Sequence, residues 1–544
     1  MVKKSLLGVS LITMTMLYVL LFLIVFILGL FADIRFDVVV LISIGILILQ
    51  FLISPFLTDL SMKWFYKAKF GYELPDYLKS FIESVCKDNN MKYPRIGFID
   101  DGAPNAFTYG HTKNDARIVL TRGIFDLLNE EEVKAVVAHE LGHAAHYDML
   151  FMTVAQLVPL LLYYVYAIST DINSGNKGSS DNNGVNSATV GFFSYILYVI
   201  SQYIVLLLSR QREYYADDFS IEVTKNPRAL GEALVKIGYG LTTNTSKASK
   251  FSASKSNALG IFDAKASKSL IVESYSDKGI DSSRIQSAMK WEMWNLWAIW
   301  YEIQSTHPLI SKRLKNISKQ CATYNQPEYI NFDLQKPESY VDDFFKELLI
   351  LALPGILTVL MLLLLFIAVP TENQTLTAIT FSMPIFIFLA SLFKYCYKYR
   401  TRAEFKPTKV ENLLGEVKVS GITTIPCELE GSLIGKGDPG CIFDDDFTLR
   451  DSTGIIFLNY DRVIGLANFI FGLFKSKEYI DKTVKIKGWY MRTPVPYVEV
   501  LEMKIGDTVK KYKKYTVTKV LIALAALVYA AAFLYICFME VTGV

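Results

Sequence analysis

Seven long apolar runs constrain this chain more than any other feature. They lie at residues 5–31, 37–57, 149–168, 190–208, 348–369, 376–393 and 520–538, and none contains a lysine or arginine. As helices, each is long enough to cross a hydrocarbon core of roughly 30 Å. A backbone inside lipid must satisfy its own hydrogen bonds, so the expectation is a helical multi-pass membrane protein. The first run is too long for the apolar core of a cleaved signal and no small-residue cleavage site follows it, so it reads as a retained span. Pro159, Pro354 and Pro384 fall inside three runs, where neighbouring helices can satisfy the carbonyls they free. A content of 52% hydrophobic residues agrees, and a net charge of +3 is too small to imply a nucleic-acid partner.

Basic residues give the orientation. With the amino terminus inside, the outer segments 32–36, 169–189, 370–375 and 539–544 hold only Arg35 and Lys177 of the 56 lysines and arginines. The short flanks 394–402 (KYCYKYRTR) and 510–519 (KKYKKYTVTK) both fall on the inner side. The expectation is a cell-membrane protein with its amino terminus and soluble segments cytosolic and its carboxyl end external. Loop 169–189, rich in Asn, Ser and Gly, reads as a solvated connection. The six cysteines are scattered without a C-x-x-C pair, so neither a cysteine metal site nor a disulfide framework follows.

Segment 135–148, AVVAHELGHAAHYD, carries the chemistry. Positions i and i+4 lie one turn apart on a helix, so His139 and His143 can aim two imidazoles at one metal ion. Glu140 can then reach a water at that metal as general base. Asn129 followed by three glutamates is a strong helix start, since a capping side chain and early carboxylates suit the positive end. The chain has five histidines, and three of them (His139, His143 and His146) sit within eight residues. After the fourth run comes SRQREYYADDFS, with Glu213 and Asp217 again at i and i+4. The third and fourth runs form a hairpin, so their inner ends must be close. If the helices simply continue, His143 and Glu213 each lie at most about 10 Å above the bilayer. Glu213 is thus the expected third ligand, and Asp217 a partner for a ligating imidazole N–H.

Around this core, residues 75–88 read as an amphipathic helix, and Arg95–Ile99, Ala106–Gly110 and 116–120 as strands of a small sheet. Residues 242–256 look like a mobile insertion. Trp291, Trp294, Trp297 and Trp300 repeat every three residues, a stripe best explained by packing. Residues 403–512 differ in texture: β-prone runs at 415–421, 427–433, 447–460, 483–489 and 497–503 suggest a five-stranded barrel of OB type. The apolar stretch 465–474 is too short to span but long enough to dip into the inner leaflet.

Four motifs, PNAF at 104–107, HELGH at 139–143, REYYAD at 212–217 and THPLISKR at 306–313, resemble the HtpX and CAAX prenyl protease family of integral-membrane zinc endopeptidases. Their order, with a pair of spans between the second and third, is similar to the HtpX-like branch over roughly residues 1–320. The resemblance implies one Zn2+ held by His139, His143 and Glu213, with Glu140 as catalytic base. It implies that Asn105, Ala106 and Phe107 lie on a strand that pairs with an extended substrate, and that His307 and Arg313 support the oxyanion. A metzincin would need Gly where His146 stands and His at Met149, which excludes that zinc class.

The expected fold is a mainly α multi-pass membrane protein with a cytosolic zincin-like α+β catalytic domain and a separate small OB-like β-barrel. The expected divisions are 1–57 (two-span hairpin), 58–344 (metallopeptidase domain with two spans), 345–402 (two spans), 403–512 (barrel) and 513–544 (last span). The expected activity is zinc-dependent cleavage of polypeptides, chiefly membrane proteins in quality control, at the cytosolic face of the lipid bilayer. Processing of prenylated CAAX substrates and an inactive membrane scaffold are the alternatives.

Overall fold

A computed structural model of the chain describes residues 36–102, 104–175, 183–243, 275–276, 279–280, 282–331, 339–371, 373–400, 402–436, 447–459, 479–493 and 495–542. The run at 5–31, stretch 465–474 and nearly all of 242–256 lie outside these residues. The chain forms two compact units, Met1–Ser267 with Trp300–Phe332, and Lys268–Ile299 with Asp333–Val544.

The first unit holds helix α1 (Phe36–Phe65), which contains the second apolar run. Pro55 has no N–H to give the carbonyl of Phe51 one turn back. His111 stands in for it, with Nε2 3.1 Å from the Phe51 oxygen and Nδ1 2.6 Å from Asp115. Four strands follow: β1 (Lys69–Phe70), β2 (Arg95–Ile99), β3 (Ala106–Gly110) and β4 (Ala116–Thr121). They form one sheet in the order β1-β2-β4-β3, with β2 and β4 parallel and the other pairs antiparallel. All six residues of β4 are buried, as a central strand requires. β3 is an edge strand, with one side outside the ladder. The amphipathic helix α2 (Asp76–Asp88) buries Leu78, Ile82, Val85 and Cys86.

Helix α3 (Glu130–Ala145) starts where the sequence places it. Asn129 Oδ1 accepts from the Glu132 N–H at 3.0 Å and Glu132 Oε2 from the Asn129 N–H at 2.9 Å, a complete capping box. The helix stops at His146, because Tyr147 takes a left-handed backbone with φ of 57°. α4 (Asp148–Gly175) then begins afresh, so His143 is not on a continuation of the third run's helix. The other half of the expectation holds: α5 (Asn183–Thr224) is one unbroken helix of 42 residues, carrying Glu213 on the same rod as the fourth run. α3 packs on α5 through Gly142, where a Cβ would stand 3.1 Å from Ala216 Cα and 3.2 Å from Phe219. Ser220 donates to the Ala135 carbonyl at 2.6 Å across the same contact. α6 (Pro227–Thr243) and α7 (Ile310–Cys321) complete the unit.

The second unit holds α8 (Val341–Thr371), α9 (Gln374–Lys398) and α10 (Lys514–Thr542). With α4 and α5, these make five helices among the described residues that are long and apolar enough to cross a membrane. The chain is a multi-pass membrane protein. Between α9 and α10 five strands close a barrel: β5 (Ile425–Lys436), β6 (Phe447–Arg450), β7 (Ile455–Asn459), β8 (Thr483–Arg492) and β9 (Pro496–Ile505). Neighbours around the ring run β5-β6-β7-β9-β8 and back to β5, antiparallel except for the closing pair β7–β9. The strand count matches the sequence reading, but its content does not. Run 447–460 is two strands, and run 415–421 is none. In the latter, the carbonyls of Val417 and Val419 accept from Asn295 Nδ2 and Trp291 Nε1, each at 2.8 Å, in place of a strand partner. The tryptophan stripe divides accordingly: Trp291 and Trp297 are buried, and Trp300 is exposed.

Candidate active site

The break at Tyr147 and the length of α5 together build one polar cluster. α3 presents His139 and His143 on one face, their Nε2 atoms 3.2 Å apart. α5, packed against it through Gly142, brings Glu213 to 3.6 Å from His139 Nε2 and 3.7 Å from His143 Nε2. The three donor groups lie within 4.8 Å of one another. Glu213 Oε2 is buried and, among the described residues, accepts no hydrogen bond. A tetrahedral ion with bonds of about 2.0–2.1 Å has ligand–ligand edges of about 3.3 Å, so the donor set fits a small divalent cation such as zinc.

Each imidazole turns its other nitrogen to a carboxylate. His139 Nδ1 is 3.0 Å from Asp217 Oδ1, and His143 Nδ1 is 2.7 Å from Asp148 Oδ2. Such partners fix the ring and leave Nε2 free for a metal. Asp217 was legible from its spacing on α5, but Asp148 was not. Its only signal is an acid just past the end of the helix that carries the histidines. Both carboxylates are themselves held by arginines. Arg313, on α7, donates Nε and Nη2 to Asp217 at 2.9 and 2.7 Å, and Arg212 pairs with Asp148.

The charges follow from these contacts. Burial works against a proton on His139, but the neighbouring Asp217 and Glu213 carboxylates outweigh it and raise its pKa to about 9. Burial keeps His143 below its ordinary value. Burial also lowers His146, to about 4, helped by the charges of His143 and Arg212. Burial opposes the charge on Arg313 as well, yet the Asp217 carboxylate raises its pKa.

A cavity of about 260 Å³ opens beside this cluster. Glu140, His143 and Glu213 line it, with Phe107 and Thr108 of β3 and with Thr306 and His307. Thr108 Oγ1 donates to Glu140 Oε2 at 2.7 Å, a contact the sequence did not suggest. His307 Nε2 is 3.6 Å from Glu213 Oε1, and its Nδ1 is 2.9 Å from Thr306 Oγ1. Arg210, one turn before Glu213, donates to the carbonyls of Glu302, Ile303 and Ser305 at 2.9, 3.0 and 2.8 Å. It thereby fixes the turn that delivers His307.

Of the residues singled out from the sequence, His139, Glu140, His143, Glu213, Asp217 and His307 come together. Arg313 reaches the same cluster from behind: it is 1% exposed, 3.4 Å from Glu213 Oε2, and does not line the cavity. Of the β3 segment, Phe107 lines the cavity. Ala106 is fully buried, and Asn105 Oδ1 accepts from the Ala106 N–H at 2.9 Å.

The chain matches the family model described as peptidase family M48 over residues 74–321. It is 38% identical over 197 residues to a protease HtpX homolog of Methanothermobacter thermautotrophicus, covering 36% of this chain and 71% of the relative. A protease HtpX homolog of Aeropyrum pernix is 27% identical over 283 residues, covering 51% of this chain and 84% of the relative. Among solved structures, the crystal structure of S. mikatae Ste24p aligns with 19% identity and a TM-score of 0.34, covering 55% of this chain and 62% of that one.

Proposed function

The chain belongs to peptidase family M48 and is a membrane metallopeptidase, and on that premise we propose that it is a zinc-dependent endopeptidase that cleaves membrane proteins at the cytosolic face of the bilayer. The observation that carries this is the triangle of His139, His143 and Glu213 with Glu140 beside it in an open cleft. His139, His143 and Glu213 would hold the zinc, which would supply Lewis acidity for the carbonyl and the water. Glu140, oriented by Thr108, takes the proton from the attacking water and gives it to the leaving nitrogen. His307 faces the same cleft and donates to the developing oxyanion. Arg313 acts through Asp217 and Glu213, holding both in place, without touching substrate. The edge strand β3 accepts the substrate as an added strand, so binding rests on backbone hydrogen bonds and tolerates many sequences.

A site on the inner face, tied to two spans, suits clients already in the membrane, which supports a quality-control role. The asymmetry of lysine and arginine supports a cytosolic site. The barrel reads as an OB-type fold: the first strand pairs with the second and fourth, and the third and fifth close it in parallel.

Glu140→Gln should retain one zinc per chain and lose at least a thousandfold in cleavage of a misfolded membrane protein. Cleavage that persists in the purified variant would remove Glu140 from its role.

A further inference from the structure

A second, larger cavity of about 520 Å³ lies between α1, α4 and α5. It shares Met152, Gln156, Ser209 and Thr306 with the wall of the cleft, so the two adjoin. Unlike the cleft, it runs into the apolar part of the molecule. Gln156 lies within the third apolar run and Gln202 within the fourth, and both line it. Among the described residues neither side-chain amide has a hydrogen-bond partner. A polar side chain inside a span is costly and usually marks a pathway or a partner.

Resting on the peptidase reading above, we propose that this cavity binds the unwound end of a substrate's own transmembrane segment, which enters sideways from the bilayer. To be cut, a peptide must be extended at the cleft. Where that stretch lies in lipid, it loses its helical hydrogen bonds, and each unsatisfied N–H or C=O there costs several kcal/mol. A glutamine amide is both donor and acceptor, so Gln156 and Gln202 can take up one freed N–H and one freed C=O apiece. The distances agree. Gln202 precedes Glu213 by eleven positions on one helix, roughly 16 Å at 1.5 Å per residue. An extended chain at about 3.3 Å per residue covers that in about five residues. The cavity thus takes up the handful of substrate residues next to the cleaved bond, on the membrane side.

The test compares two substrates in proteoliposomes: a single-span protein cut just inside its span, and a soluble unfolded polypeptide. Gln202→Leu should lower the ratio of membrane to soluble cleavage at least tenfold, and Gln202→Asn should restore most of it, with zinc content unaltered. An unchanged ratio overturns the proposal. In the Glu140→Gln background, a photo-crosslinker at position 202 should capture the substrate's transmembrane segment; capture of lipid alone, or of residues 5–31 of this chain, also overturns it. Wild-type protein that cleaves neither substrate would instead count against the peptidase reading.

Discussion

At the scale of single residues, the meeting of His139, His143 and Glu213 was the most legible feature of this chain. H-E-x-x-H fixes its own geometry once it is on a helix, and the capping residues say where that helix starts. Groups that act through other groups were not legible. Asp148, Thr108 and Arg210 find their partners only after the chain folds, and nothing in their spacing announces it. Arg210 makes the sharpest prediction of the three. Its guanidinium binds three carbonyls in the turn that carries His307, so Arg210→Ala should free that turn. The expected result is a fall of about tenfold to a hundredfold in kcat with little change in KM or zinc content, partly rescued by Arg210→Lys. A fall in zinc content that tracks the fall in kcat would mean that Arg210 merely supports the fold.

At the scale of elements, the helices followed their patterns and the errors arose at joints. The left-handed Tyr147 separates α3 from α4, although the apolar pattern restarts only two residues later. Run 415–421 has strand composition, but the carbonyls of Val417 and Val419 are taken by the Asn295 amide and the Trp291 indole. The α3–α5 contact gives two predictions. At Gly142 an added methyl would press on Ala216 Cα at 3.1 Å, so the two helices must part by a few tenths of an ångström, and Gly142→Ala should lower stability by about 1–3 kcal/mol, read as a lower Tm, and weaken metal binding with it. His146 sits edge-on to Tyr215 and Phe219 in the same contact, with its Nδ1 buried. Its folded pKa is lowered from 6.5 to about 4, so the unfolded chain takes up its proton first as pH falls. Its contribution to stability is full above about pH 6.5 and is lost as pH falls toward 4. The melting temperature of the metal-free protein should therefore drop between pH 7 and pH 4.5, and His146→Gln should flatten that slope. A parallel slope in the variant would assign the acid sensitivity to other groups.

At the scale of the whole molecule, five of the seven apolar runs became helices fit to span, a sixth lies in α1, and the orientation rests on charge alone. The exposed Cys396, near the end of α9, reports on it. As the only cysteine left in the chain, it should react with a membrane-impermeant maleimide in inside-out vesicles and stay unlabelled in intact cells. The reverse pattern would place the cleft outside. The unbroken α5 carries a further consequence. Because one rigid rod is both a span and the carrier of Glu213 and Asp217, bilayer thickness becomes a coordinate of the active centre. A thinner or thicker membrane should tilt the rod and shift the carboxylates relative to the two histidines. Cleavage in proteoliposomes should then change with acyl-chain length while zinc content stays constant, and a rate independent of chain length would show that the tilt does not reach the site.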